Sequence, residues 1–204
     1  MINIIPTPKV CNETEGKRIN VIPSIYTEHK GFAELCKAFA TDFYKVTYCP
    51  MEIEKGGIEL KFDPSVREDG YVIDCTEDGI FLIASGTEGM NYALASFLQL
   101  FACVRGDITC PVVHIEDYPD KDYRSLMVDL GRQWHPARTL YKYIDVCYMY
   151  KVKYLHLHFC DTLLYSFPSK AFPKLNKPGR FYTEEDQKID GVLAIHFEVV
   201  DDET

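Results

Sequence analysis

Residues 155–161 read LHLHFCD, and four of these side chains can ligate a metal or act as acid–base groups. His156 and His158 lie two apart, the spacing that puts both imidazoles on one face of a β-strand. By the same alternation Tyr154 and Cys160 share that face, and Asp161 points to the other. Imidazole with thiolate suits zinc, but a strand-borne His-x-His site needs further His or Asp ligands from later strands. Downstream the only further histidine is His196. Histidines hydrogen-bonded within a packed site are therefore preferred, and neither a metal nor a cofactor is expected.

Two other places offer chemistry. Arg124 presents a guanidinium, a rigid fork of donors that suits vicinal hydroxyls. A buried ion pair with Asp129 or Asp161 would use the same group equally well. The acidic end of the chain, IHFEVVDDET, sets Asp202 and Glu203 side by side after an apolar run. A solvated tail is the preferred reading there.

The elements that must position these residues fall into two blocks. In residues 1–117, INII (2–5), RINVI (18–22), GIELKF (57–62), GYVIDC (70–75) and GIFLIAS (79–85) read as strands. Asp78-Gly79 suits a hairpin turn between the last two. One helix carries Phe32, Leu35, Cys36, Phe39, Ala40 and Phe43 on a single stripe. A second opens with Ser85 and Glu88 at capping-box spacing and buries Met90, Ala93, Leu94, Phe97, Leu98 and Phe101. Two helices against a largely antiparallel sheet make a small α+β layer domain. ITCPVVHIEDYPDKD (108–122) runs extended into a polar link, and the boundary falls near residue 118.

In residues 118–204 the rhythm becomes strand (123–130), helix after Pro136, strand (153–159), a β-α-β unit with parallel strands. The helical stripe is Leu140, Tyr143, Ile144, Cys147 and Tyr148. A proline-containing loop follows, then a short helix from Thr183 and a third strand over 192–200.

Bulk properties narrow the partners. A net charge of −9 argues against nucleic acid, which needs a basic surface. No run approaches the roughly 20 apolar residues that cross a bilayer, so no membrane association is expected. The eight cysteines contain no CxxC pair, and several lie in apolar stripes. Free thiols and a cytoplasmic location are expected.

Three stretches in order, YPDKDYRSLMVDLGRQWHP, YKYIDVCYMYKVKYLHLHFCD and FPSKAFPKLN, resemble glycoside hydrolase family 20, the β-N-acetylhexosaminidases. Residues 1–115 are similar to the small domain that precedes the barrel in that family. The resemblance implies a (β/α)8 barrel that removes terminal N-acetylhexosamine from glycans by a substrate-assisted, retaining mechanism. It puts Arg124 and Asp161 on the sugar hydroxyls, with His156, His158 and Asp129 behind them. It also marks a departure: Thr162 stands where the family's HxHxxDD segment has its second aspartate.

The resemblance stops short of the family's catalytic Asp-Glu pair. A closed barrel takes ~250 residues, and residues 122–204 supply two family-like strands and a third. The expected fold is therefore an α+β domain followed by a truncated, open barrel fragment. Asp202-Glu203 match the family's HIGGDE motif only weakly, because spacing differs and both glycines are missing. The chain alone is expected to show little or no hexosaminidase activity. The alternative is a non-catalytic module that binds glycan or protein, with Arg124, Asp161 and Trp134 as contacts. Open strand edges predict self-association.

Overall fold

A computed structural model describes residues 2–104 and 107–182. The strand and short helix expected after residue 182, and with them His196, Asp202 and Glu203, lie outside the described residues. The chain divides into two compact units, residues 1–120 and 121–204.

In the first unit seven strands form one sheet: β1 (Val10–Asn20), β2 (Ile25–Thr27), β3 (Ile58–Phe62), β4 (Tyr71–Thr76), β5 (Gly79–Ala84), β6 (Ala102–Val104) and β7 (Asp107–Asp117). Their order is β1-β7-β4-β5-β3-β2, with β6 also paired to β7. The β1–β7, β7–β4, β4–β5 and β6–β7 pairs are antiparallel; β5–β3 and β3–β2 are parallel. The sheet is thus largely antiparallel with a parallel corner. That corner arises because the residues between β2 and β3 include a helix, which returns the chain in the same direction.

Helices α1 (Ala33–Thr47) and α2 (Thr87–Leu98) supply the apolar stripes. Phe32, Phe39, Phe43, Met90, Leu94 and Phe97 are wholly buried together with Ile25, Ile58, Leu60, Ile73 and Leu82 of the sheet. Phe39 and Phe97 stack across the two helices with centroids 6.2 Å apart. Each such side chain contributes about 1.5–3 kcal/mol of burial. A polar cluster enters this layer: the Tyr71 hydroxyl lies 2.6 Å from Ser96 Oγ and donates to Asp117 Oδ2 at 2.9 Å.

Three local expectations are corrected. Residues 2–5 form no strand; Gln99 exchanges two 3.0 Å hydrogen bonds with the Ile5 backbone, which replaces a strand partner. The strand expected at 18–22 instead begins at Val10, and its polar residues face solvent on both sides because β1 is a sheet edge. Nor does the capping box form. Gly86 is the N-cap, Glu88 accepts from the Tyr92 hydroxyl, and Ser85 Oγ is buried without a hydrogen-bond partner among the described residues.

The second unit is built on β8 (Ser125–Asp129), α3 (Ala137–Met149) and β9 (Tyr154–His158). β8 and β9 are parallel, with Asp129 opposite His158 at their carboxyl ends. Val128, Leu130 and Leu155 bury one face against Leu140, Ile144 and Cys147 of α3. Pro136 is the residue before the first turn of α3, with extended backbone angles, rather than its first helical residue. After β9 a hairpin of β10 (Cys160–Asp161) and β11 (Leu164–Tyr165) closes through Thr162 and Leu163.

Candidate functional site

Parallel strands joined by a helix deliver their following loops to the same end. Here those loops meet. The backbone N–H groups of Leu130 and Gly131 both donate to the carbonyl of His158, at 2.8 and 3.0 Å. This ties the turn after β8 onto the end of β9. Gly131 permits the approach: a Cβ there would stand 2.5 Å from the Asp161 amide nitrogen.

Arg132 emerges from this junction between two carboxylates. Asp129 Oδ1 accepts the Arg132 backbone N–H at 2.9 Å, and its Oδ2 lies 3.4 Å from Nε. The Arg132 Nε donates to Asp161 Oδ2 at 3.0 Å. The other oxygen, Asp161 Oδ1, accepts both the N–H and the hydroxyl of Thr162, at 2.5 and 2.8 Å. The Arg132 guanidinium, with the two Thr162 donors, holds the Asp161 carboxyl down to about 2. Asp161 in turn raises Arg132, so both stay charged. Arg132 remains largely exposed, and its two terminal amino groups have no protein acceptor among the described residues.

Of the expected residues, Asp129, His158 and Asp161 come together. His158 Nε2 lies 4.0 Å from Asp161 Oδ2, close but not hydrogen-bonded. The placement of Asp161 on the opposite strand face is corrected: β9 ends at His158, so alternation does not run through Phe159. His156 stands exposed two residue pairs away from the end, its ring centroid 6.3 Å from that of His158. Trp134 packs in the apolar cluster, 5.9 Å from the Tyr182 ring.

Arg124 does not join this group. It immediately precedes the five-residue β8, whose length separates it from Asp129 by about 16 Å. Its guanidinium donates instead to main-chain carbonyls of Lys121, Asp122 and Lys151. It pins the start of β8 to the turn after α3, at the end of the strand opposite Asp129.

Asp129, His158 and Asp161 also offer ligand atoms within 4.8 Å of one another. A guanidinium already occupies the space between the two carboxylates, and its charge does what a cation would do there. The residue that sequence reasoning missed is therefore Arg132. A signal was present in the sequence: an arginine three residues after the last carboxylate of a strand lies in the loop that faces the neighbouring strand's end.

A parallel β-α-β unit is the opening step of a β/α-barrel class of fold. Family models agree. The model described as glycosyl hydrolase family 20, domain 2, matches residues 1–118, and that of the family's catalytic domain matches residues 122–198. The chain belongs to glycosyl hydrolase family 20.

It is 37% identical over 115 residues to a beta-hexosaminidase of Akkermansia muciniphila, covering 55% of this chain and 23% of the relative. A beta-hexosaminidase of Porphyromonas gingivalis is 25% identical over 201 residues, covering 91% and 26%. Among solved structures, the beta-N-acetylhexosaminidase of Bacteroides fragilis is 29% identical with a TM-score of 0.75, covering 90% of this chain and 40% of that one. The exo beta-N-acetylglucosaminidase of Vibrio harveyi, solved with N-acetylglucosamine, shares the fold at 20% identity and a TM-score of 0.79 over 84% of this chain and 28% of its own. The chain thus spans about a quarter of the curated relatives it matches first.

Proposed function

We propose that this chain carries the hydroxyl-recognition corner of a β-N-acetylhexosaminidase, an enzyme that removes terminal N-acetylhexosamine from glycans. The observation that carries the reading is the Arg132–Asp161 pair, 3.0 Å apart at the carboxyl ends of two parallel strands. That end of a β/α barrel is where substrate binds in enzymes of this architecture. Arg132 supplies N–H donors to sugar oxygens, and Asp161 accepts from sugar hydroxyls.

Hydroxyl binding is the activity assigned to residues 121–182, on the geometry of the Arg132–Asp161 pair. Hydrolysis by a substrate-assisted retaining mechanism is a property proposed for a complete barrel. Titrating the protein with N-acetylglucosamine, monitored by NMR, should perturb the Arg132 Nε–H signal. Arg132→Ala should abolish binding while Arg124→Ala leaves it intact. Equal affinity in the Arg132→Ala protein would overturn the assignment. A chromogenic N-acetylglucosaminide should give no saturable turnover.

A non-catalytic binding module is the second reading, and the open face of β8 and β9 favours it. Met127 is 55% exposed in mid-strand, and β8 and β9 pair only with each other among the described residues. Unpaired strand edges and an uncovered face support self-association, which sedimentation at rising concentration would reveal. The eight free thiols support a reducing, cytoplasmic setting.

A further inference from the structure

Thr162 occupies the tip of the β10–β11 hairpin, exposed to solvent, yet both its backbone N–H and its hydroxyl turn back onto one atom, Asp161 Oδ1. The opposite carboxylate oxygen is taken by Arg132 Nε at 3.0 Å. The carboxylate is therefore gripped from two sides, by the hairpin on Oδ1 and by the loop after β8 on Oδ2. A carboxylate side chain at position 162, as in the family segment that this chain resembles, has no hydroxyl to donate to Asp161 and leaves only the backbone N–H.

We propose that Thr162 is the positioning residue of this site: its hydroxyl fixes the Asp161 carboxylate so that Oδ2 is presented beside Arg132. The inference rests on the sugar-binding reading of that pair and adds a stereochemical demand. With Oδ1 saturated by two donors, a ligand hydroxyl must approach Oδ2, directly next to the guanidinium. Arg132 still has N–H groups to offer to an oxygen alongside. A hydroxyl donating to Oδ2 would therefore lie beside the Arg132 guanidinium. The other groups that face the carboxylate are His158, 4.0 Å from Oδ2, and Asp129, which reaches it through Arg132.

A merely structural role predicts that Thr162 caps the hairpin turn and does nothing for the carboxylate. The two are separated by following the Asp161 carboxyl carbon through an acid titration, in sugar-free protein, for Thr162→Val and Thr162→Ser. Valine keeps the shape and removes the hydroxyl. It should raise the Asp161 midpoint by about half to one pH unit, the effect of one lost hydrogen bond. It should also speed solvent exchange of the Arg132 Nε–H, while Cys160–Tyr165 cross-strand contacts persist. Serine should titrate like the wild type. If valine disturbs the hairpin contacts, Thr162→Ala replaces it as the test of the hydroxyl. An unchanged midpoint in the hydroxyl-free variant, or an equal rise in the serine variant, overturns the proposal. Because no sugar is present, failure of N-acetylglucosamine to bind would sink the ligand assignment and leave this result standing.

Discussion

Gly131→Ala offers the most direct test of how the junction is built. A Cβ at this position would lie 2.5 Å from the Asp161 amide nitrogen, 2.7 Å from the Cys160 carbonyl carbon and 2.9 Å from Asp161 Cβ. Two of those atoms are backbone and cannot rotate away. Restoring an ordinary 3.4 Å separation from the nitrogen needs a shift of about 0.9 Å. The turn cannot simply lift, because Leu130 and Gly131 are both bonded to the carbonyl of His158. Taken up at the neighbouring ion pair, the shift would stretch the 3.0 Å Arg132–Asp161 contact to about 3.9 Å, past hydrogen-bonding range.

Overpacking of this kind costs about 1–3 kcal/mol, and each kcal/mol lowers the midpoint of a unit this size by roughly 4–8 °C. The single tryptophan, Trp134, sits in the apolar cluster of this unit, so its fluorescence reports the unit's unfolding. A thermal melt should show the midpoint fall by several degrees, and a carboxyl titration should show Asp161 rising from about 2. The sign is that of a depressed acid: its contribution is full above the unfolded pKa near 3.9 and fades as pH falls through about 2. A loosened pair should therefore make Gly131→Ala lose less stability than the wild type on acidification across that window. An alanine variant with unchanged melt and unchanged Asp161 titration would refute the account.

Three further outcomes follow from the same geometry. Tyr71→Phe removes the donor to buried Asp117 and the neighbour of buried Ser96, and should cost about 1.5–3 kcal/mol in urea unfolding of the first unit; a cost below about 0.5 kcal/mol would contradict it. His114, between Asp74 at 2.6 Å and Glu116 at 3.0 Å, is raised chiefly by its hydrogen bond to Asp74. Its stabilising effect is complete below the unfolded value of about 6.5 and is lost as pH rises through the higher folded value, so His114→Asn should flatten stability against pH in that window. Arg124→Ala should destabilise the second unit by about 1 kcal/mol through the lost 2.9 Å bond to the Lys151 carbonyl, with N-acetylglucosamine affinity unchanged; an affinity loss matching that of Arg132→Ala would return Arg124 to the binding site.

Periodicity carried the reading of the sequence wherever one face of an element is buried. The α1 and α3 stripes and the parallel pairing of β8 with β9 follow from it, since Val128 and Leu155 must meet Leu140 and Ile144. It had nothing to act on in β1, an edge strand solvated on both sides. At the site it misled. Alternation extended through Phe159 turned Asp161 away from His158, whereas the strand ends there and the hairpin brings the carboxylate back. Arg132 lies in a loop, where no period exists, and Arg124 attracted attention through its match to the arginine of the resembled family's strand motif.

Strand direction resolves the difference between those two arginines. In a parallel pair joined by a helix, the residues after each strand emerge at one end and those before each strand at the other. Arg132 and Asp161 follow β8 and β9 respectively, so they meet although 29 residues separate them. Arg124 and Lys151 precede the same two strands, and they too meet, through the bond from Arg124 Nε to the Lys151 carbonyl. The ends differ in what they leave available. At the amino end the guanidinium spends its donors on main-chain carbonyls, which fixes the strands relative to each other. At the carboxyl end Arg132 is bound through Nε to Asp161 and is largely exposed. One arginine ties strand starts together through main-chain carbonyls, and the other ties strand ends together through a carboxylate.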